Sequence, residues 1–244
     1  MTCQLRYALM DPSGNRTILV ETPVPQASQP AAAAQLMALE PTAEQVGFWS
    51  DSEGVTLRMA GGEFCGNGTM SAAVLYALRG GMLQGEVLVR ASGAPRPVSA
   101  AVLARTDGTW QGIVQMPPPY SVTEMLLPDR RRLPVVAFQG ISHVILEQSL
   151  PRETAEALAR RWCGYLGADA LGLMFWNREE DRLSPLVYVP AADTMFWESA
   201  CGSGSTAIGA WLASERDEPV EISLKQPGGV LTVTASPKKS FLMG

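Results

Sequence analysis

Two cysteines open near-copies of one short segment. The first reads Cys65-Gly66-Asn67-Gly68-Thr69-Met70-Ser71-Ala72 and the second Cys201-Gly202-Ser203-Gly204-Ser205-Thr206-Ala207-Ile208. In both, a thiol sits on a glycine-rich turn that runs into an alanine-rich, helix-forming stretch. The positive end of a helix favours a thiolate, so each thiol is expected to titrate a unit or more below the ordinary value of about 8.5. The same turn exposes successive backbone N–H groups without side chains in the way, a site suited to a carboxylate or phosphate. Two such thiols make a matched acid and base with coupled titrations. If the two segments face one cleft, a single carboxylate receives N–H groups from Gly66-Asn67 and Gly202-Ser203, with the thiols on opposite sides of the attached carbon. That geometry suits inversion of an α-carbon. The carbanion left by proton removal spreads into the carboxylate, where preorganised donors stabilise it. Inversion then needs a base on one face and an acid on the other. This scheme requires no cofactor, neither lysine-bound pyridoxal nor metal.

The cysteine segments belong to a longer repeat. Gly14-Asn15-Arg16-Thr17-Ile18-Leu19-Val20-Glu21 precedes the first, and Gly140-Ile141-Ser142-His143-Val144-Ile145-Leu146-Glu147 precedes the second. Gly93 follows Cys65 by 28 residues and Gly228 follows Cys201 by 27. Landmarks in the same order at matching spacing indicate a duplicated chain. The expected halves are 1–118, carrying Cys65, and 119–244, carrying Cys201. Pro117-Pro118-Pro119, which cannot sit inside a sheet, marks the linker.

Short β-type runs dominate each half: 17–20, 55–59, 86–90 and 112–116, then 135–138, 144–146, 186–189, 220–224 and 230–234. Helical patterns cover 31–39 and 152–162, and the stretches after each cysteine, roughly 68–78 and 203–213, with Gly80-Gly81 as a stop for the first of these. The fold class is therefore α+β: two pseudo-symmetric domains, each a mostly antiparallel sheet wrapped around a central helix, with the active site in the interdomain cleft.

Composition narrows the classes. The 244 residues are 46% hydrophobic and 18% charged, with net charge −5, which disfavours a nucleic-acid or anionic-membrane partner. No run of about 18 apolar residues occurs, and the N-terminus lacks a basic region followed by an apolar core, so a cytoplasmic protein is expected. The four cysteines form no CxxC pair and His143 is the single histidine, which excludes multi-histidine metal chemistry. Cys3 and Cys163, without glycine-rich turns, read as structural. Phe48, Phe196 and Trp197 read as core. Glu63 and Glu198 flank the two cysteines at similar distances, where each could bond a thiol or meet a cationic substrate side chain.

These motifs together resemble the cofactor-independent diaminopimelate epimerase and proline racemase superfamily. The likeness runs through Ser13-Gly14-Asn15, Cys65-Gly66-Asn67-Gly68, Gly140-x-x-His143, Ala200-Cys201-Gly202-Ser203-Gly204 and Pro227-Gly228-Gly229. The resemblance implies that Cys65 and Cys201 are the two catalytic bases of a racemase. It implies that Asn15 meets the substrate, that Gly66, Asn67, Gly202 and Ser203 hold its α-carboxylate, and that His143 belongs to the site. The chain departs from the epimerases where they read Gly-Asn-Pro-His, here Gly140-Ile141-Ser142-His143. It also lacks their arginine beside Glu198, in Asp193-Thr194-Met195-Phe196-Trp197-Glu198. A distal carboxylate would find no cation there, which points away from diaminopimelate. A closer resemblance is to the histidine racemases of opine-metallophore biosynthesis, through Pro12-Ser13-Gly14-Asn15, Glu44-Gln45-Val46-Gly47-Phe48, Glu63-Phe64-Cys65, Trp197-Glu198 and Gln226-Pro227-Gly228-Gly229. The expected partner is a small amino acid, with a homodimer as a candidate assembly. Alternatives are racemisation of another amino acid, a lyase or dehydratase, or a non-catalytic binder of small carboxylates on the same scaffold. The chain also ends after Phe241-Leu242-Met243, ahead of the last strand that the resemblance implies.

Overall fold

A computed structural model describes residues 4–237 and 239–243. Its contacts divide into two compact units, the first running to Gln115 and the second covering Met116–Leu242. The prolines at 117–119 lie in coil just inside the second unit.

In the first unit, strands β1 (Tyr7–Met10), β2 (Thr17–Val20), β3 (Gln45–Ser50), β4 (Thr56–Met59), β5 (Gln84–Ala91), β6 (Val98–Ala104) and β7 (Trp110–Met116) are neighbours in chain order. Helix α1 (Gln29–Leu39) makes the crossover for the parallel pair β2/β3, and α2 (Gly66–Gly80) for the parallel pair β4/β5. The other pairs are antiparallel. The second unit is built in a similar way, with one additional strand at its start and one short strand off the path. Its strands are β8 (Ser121–Leu126), β9 (Arg132–Phe138), β10 (Ile141–Leu146), β11 (Leu171–Asn177), β12 (Arg182–Val189), β13 (Thr194–Trp197), β14 (Val220–Gln226), β15 (Gly229–Ser236) and β16 (Lys239–Met243). Helix α3 (Arg152–Leu166) connects the parallel pair β10/β11, and α4 (Gly202–Arg216) precedes β14, which runs parallel to β12. The fold is α+β, with two curled mixed sheets in which antiparallel pairs outnumber parallel ones.

Two kinds of helix follow from two kinds of sequence. Helix α2 is buried at every position from Gly66 to Leu75, and α4 at nearly every position from Gly202 to Ala213. Both are rich in glycine, alanine, serine and threonine, so a sheet can close around them without large side chains holding it off. Helix α2 packs on β2, β4, β5 and β6, and α4 on β8, β9, β10, β14 and β15. Helix α3 instead buries one stripe, Ala155, Ala159, Trp162 and Cys163, against the outer face of β11 and β12. Helix α1 covers β3 in the same way, with Ala33 and Leu36 on Ile18, Val20, Val46 and Phe48.

Strands β3 and β11 thus lie in layers with helices on both faces and read QVGFWS and LGLMFWN, buried through nearly their whole length. Their lack of alternation hides them from a period-2 reading, and neither was expected. Cys163 is 1% exposed within the α3 core, as its apolar setting suggested. Cys3 lies outside the described residues. Phe48 is core, and Trp197 stacks on Phe175 with ring centroids 5.6 Å apart. Phe196 is a correction: it sits on the short strand β13, pointing away from the Trp197 stack, and is 44% exposed.

Candidate active site

Each cysteine is the N-cap of its unit's central helix. Cys65 has extended backbone angles, φ −129° and ψ 115°, and its sulfur accepts the Gly68 N–H at 3.2 Å. Cys201 repeats this at φ −116° and ψ 108°, accepting the Gly204 N–H at 3.4 Å. An N-cap residue must leave helical geometry while its side chain satisfies a first-turn donor, and here sulfur takes the place of the usual oxygen. Gly66 and Asn67, and Gly202 and Ser203, form the first turn beside each thiol, so their N–H groups head the helix. Asn67 is 2% exposed.

The loop into each helix is tied down at the same point. The Glu63 carbonyl accepts from Ser92 Oγ at 2.7 Å, and the Ser199 carbonyl accepts from Gly228 N–H at 2.8 Å. Each tie joins the residue two before the cysteine to the end of the strand after the helix. The glycine landmarks seen in the sequence serve this joint.

The thiols differ in their acceptors. Cys65 donates to Gln45 Oε1 at 3.1 Å. Gln45 in turn donates through Nε2 to Asn15 Oδ1 at 2.6 Å and to Thr17 Oγ1 at 2.7 Å. Asn15, 3% exposed, donates through Nδ2 to Glu44 Oε2 at 2.6 Å. Cys201 instead has the Glu198 carboxylate as hydrogen-bond partner, while its own N–H donates to Gln226 Oε1 at 2.8 Å. Burial, then the negative charge and hydrogen bond of Glu198, push the Cys201 thiol well above its ordinary value. Ser203 and the Gly204 N–H pull the other way and lose. The expected lowering at a helix end is thus reversed at Cys201: the low-dielectric surroundings and adjacent carboxylate outweigh the helix amides.

His143 is wholly buried, and its Nε2 lies 3.0 Å from Ser203 Oγ. Burial lowers its pKa to about 3, so the ring is neutral. Nδ1 is buried without a hydrogen-bond partner. A buried N–H without an acceptor loses its full hydration, so the proton is placed on Nε2, where Ser203 Oγ accepts it. The Ser203 hydroxyl hydrogen is then left for Cys201 Sγ, 3.6 Å away.

Equivalent rungs explain the asymmetry. In the first unit Thr17 on β2 lies opposite Gln45 on β3, and the second unit puts His143 on β10 opposite Gly172 on β11. A Cβ on Gly172 would stand 2.2 Å from His143 Nδ1, so one imidazole fills the space that two polar side chains share in the other unit. Of the expected site residues, the first unit gathers Asn15, Gly66 and Asn67 around Cys65, and the second gathers Glu198, Gly202, Ser203 and His143 around Cys201. Glu63 is exposed, with its carboxylate over the backbone of Gly61. Sequence reading passed over the side chains of Glu44, Gln45 and Gln226 as site members. Their only signal was position inside the motifs that carry the family resemblance.

The family described as "Histidine racemase CntK N-terminal domain" matches residues 4–243. The chain belongs to the histidine racemase family. A histidine racemase of Fusobacterium nucleatum is 30% identical over 98% of this chain and 93% of its own length. Among solved structures, a predicted epimerase from Pseudomonas aeruginosa superimposes with a TM-score of 0.72 at 15% identity, covering 99% of this chain and 95% of that one. A probable proline racemase from Agrobacterium radiobacter gives a TM-score of 0.71 at 10% identity, covering 99% and 90%. The solved structures fix the fold. The family membership makes this chain an isomerase of the amino-acid racemase type.

Proposed function

We propose that this racemase inverts histidine without pyridoxal phosphate, using Cys65 and Cys201 as its acid and base. The observation that carries this is the repeated N-cap: in each unit a thiol heads the buried central helix and holds a helix amide on its sulfur. In the working form Cys201 is the thiol, because burial and the Glu198 carboxylate hold its proton, and Cys65, which faces an uncharged amide, is the thiolate. Cys65 takes the α-proton of one enantiomer. Charge passes into the substrate carboxylate, held by the first-turn amides of Gly66, Asn67, Gly202 and Ser203. Cys201 delivers its proton to the opposite face, leaving a Cys201 thiolate and a Cys65 thiol. The reverse direction exchanges the roles. Histidine as substrate is supported by the relatives' names and by the absence of arginine beside Glu198. The resemblance further supports D-histidine supply to a metallophore, in the cytoplasm, by a chain that needs no cofactor.

The test is incubation of single amino acids, including histidine and diaminopimelate, in D2O. Histidine should gain α-deuterium and lose optical activity, and exchange with none of the panel would sink the reading. Cys65→Ala and Cys201→Ala should each abolish racemisation, in keeping with the roughly 10²- to 10⁴-fold that one positioned acid or base contributes. Wild-type rates in either variant would remove the two-base assignment.

A further inference from the structure

The hydrogen bonds behind Cys65 run in one direction only. Glu44 is a carboxylate and accepts. Asn15 must therefore turn its NH2 group to Glu44, which leaves Oδ1 facing Gln45. Gln45 must then turn its own NH2 group to Asn15 Oδ1, and its Nε2 also reaches Thr17 Oγ1. The carbonyl end, Oε1, is left facing the Cys65 sulfur at 3.1 Å. The Thr17 hydroxyl, which donates to the Asn15 carbonyl at 3.1 Å, is both donor and acceptor and could follow either polarity by giving up that bond. Of the four side chains behind the thiol, Glu44 alone has a fixed sign.

We infer that Glu44 is a positioning residue that, through Asn15 and Gln45, keeps an acceptor on the Cys65 thiol and so sets how readily Cys65 ionises. An acceptor bonds the thiol and repels the thiolate, so the chain raises the proton affinity of Cys65, against the Gly68 N–H, which lowers it. Turning Gln45 around would put a donor on the sulfur, but only by setting Asn15 Oδ1 against the Glu44 carboxylate. Two charges sit near the start of α2, Arg58 on β4 and Glu63 on the loop. The Glu63 carboxylate lies over Gly61 and the Arg58 guanidinium over Gly62. In this arrangement Asn15 acts on the thiol rather than only on substrate. The second unit has no counterpart, because His143 and Gly172 occupy the matching rungs. The inference takes Cys65 to be a working thiol, as proposed above, but its test reads ionisation and not turnover.

The experiment is iodoacetamide labelling of the intact protein across a pH series, with the Cys65 peptide resolved by mass spectrometry. Glu44→Gln lets the amides reverse, and the thiolate fraction of Cys65 should rise about tenfold at a given pH below its pKa. Removal of a nearby negative charge would act in the same direction. Gln45→Met separates the two, since it removes the acceptor without changing charge. It should raise the thiolate fraction by itself, and Glu44→Gln should add nothing in its presence. A labelling profile unmoved by Gln45→Met overturns the inference, as does an undiminished Glu44→Gln effect in the Gln45→Met background. Should Glu44→Gln fail to fold, the Gln45→Met profile decides alone. Loss of deuterium exchange in the wild type would remove the racemase reading and leave the labelling result standing.

Discussion

His143 shows how far one residue's role depends on what surrounds it. In the sequence it is a lone histidine three residues after a glycine; in the fold it is an uncharged donor to Ser203, stacked edge-on to Phe138 with centroids 5.9 Å apart. Its folded pKa of about 3 lies below the ordinary value of about 6.5. Between those values the unfolded chain takes up a proton that the folded chain refuses. Stability therefore falls as pH drops from about 6.5 towards 3, by at most about 1.4 kcal/mol per pH unit from this group. Urea unfolding at pH 7 and pH 5 should show the loss, and His143→Gln should reduce it. An unchanged pH dependence in that variant would mean that other groups carry it. At the same scale, the two thiols were alike in the sequence and unlike in the fold, because Gln45 and Glu198 are not the same kind of acceptor.

At the scale of elements, the helices after each cysteine and the Gly81 cap that ends α2 were legible, since small residues, capping geometry and a left-handed glycine leave local marks. The layered strands β3 and β11 were not, because burial on both faces removes alternation. That omission also concealed Gln45, which β3 carries to Cys65. Gly93 shows why a spacing landmark had meaning. Its φ is +71°, and a Cβ there would stand 2.3 Å from the Phe64 backbone nitrogen. A side chain would have to displace the loop into α2, since the obstacle is backbone. Gly93→Ala should destabilise the fold by about 1–3 kcal/mol in urea unfolding and alter Cys65 labelling. A neutral effect on both would show that the loop adjusts freely.

For the whole molecule, crossover helix and N-cap cysteine recur in both units, so each unit supplies one thiol of the proposed acid–base pair. The proposed chemistry needs both thiols on one α-carbon, and isotope timing tests that requirement. With two bases, the product enantiomer formed early in D2O carries deuterium while the unreacted enantiomer keeps its hydrogen. Starting from L-histidine, early D-histidine should be labelled and recovered L-histidine should not. Equal early labelling of both would indicate a single base serving both faces.

The sequence by itself determined the duplication, the helix-heading thiols and the family, because each rests on local spacing that packing does not alter. It also determined the absence of an arginine next to Glu198. Only the tertiary structure decided which side chains face each sulfur. Glu44, Gln45 and Asn15 reach Cys65 because β2 and β3 are paired in one register, and Glu198 reaches Cys201 across the loop that precedes α4. The proton affinity of a thiol depends on burial and on the sign of its nearest partner. Both are products of packing, so the sequence showed the thiols but not what surrounds each sulfur.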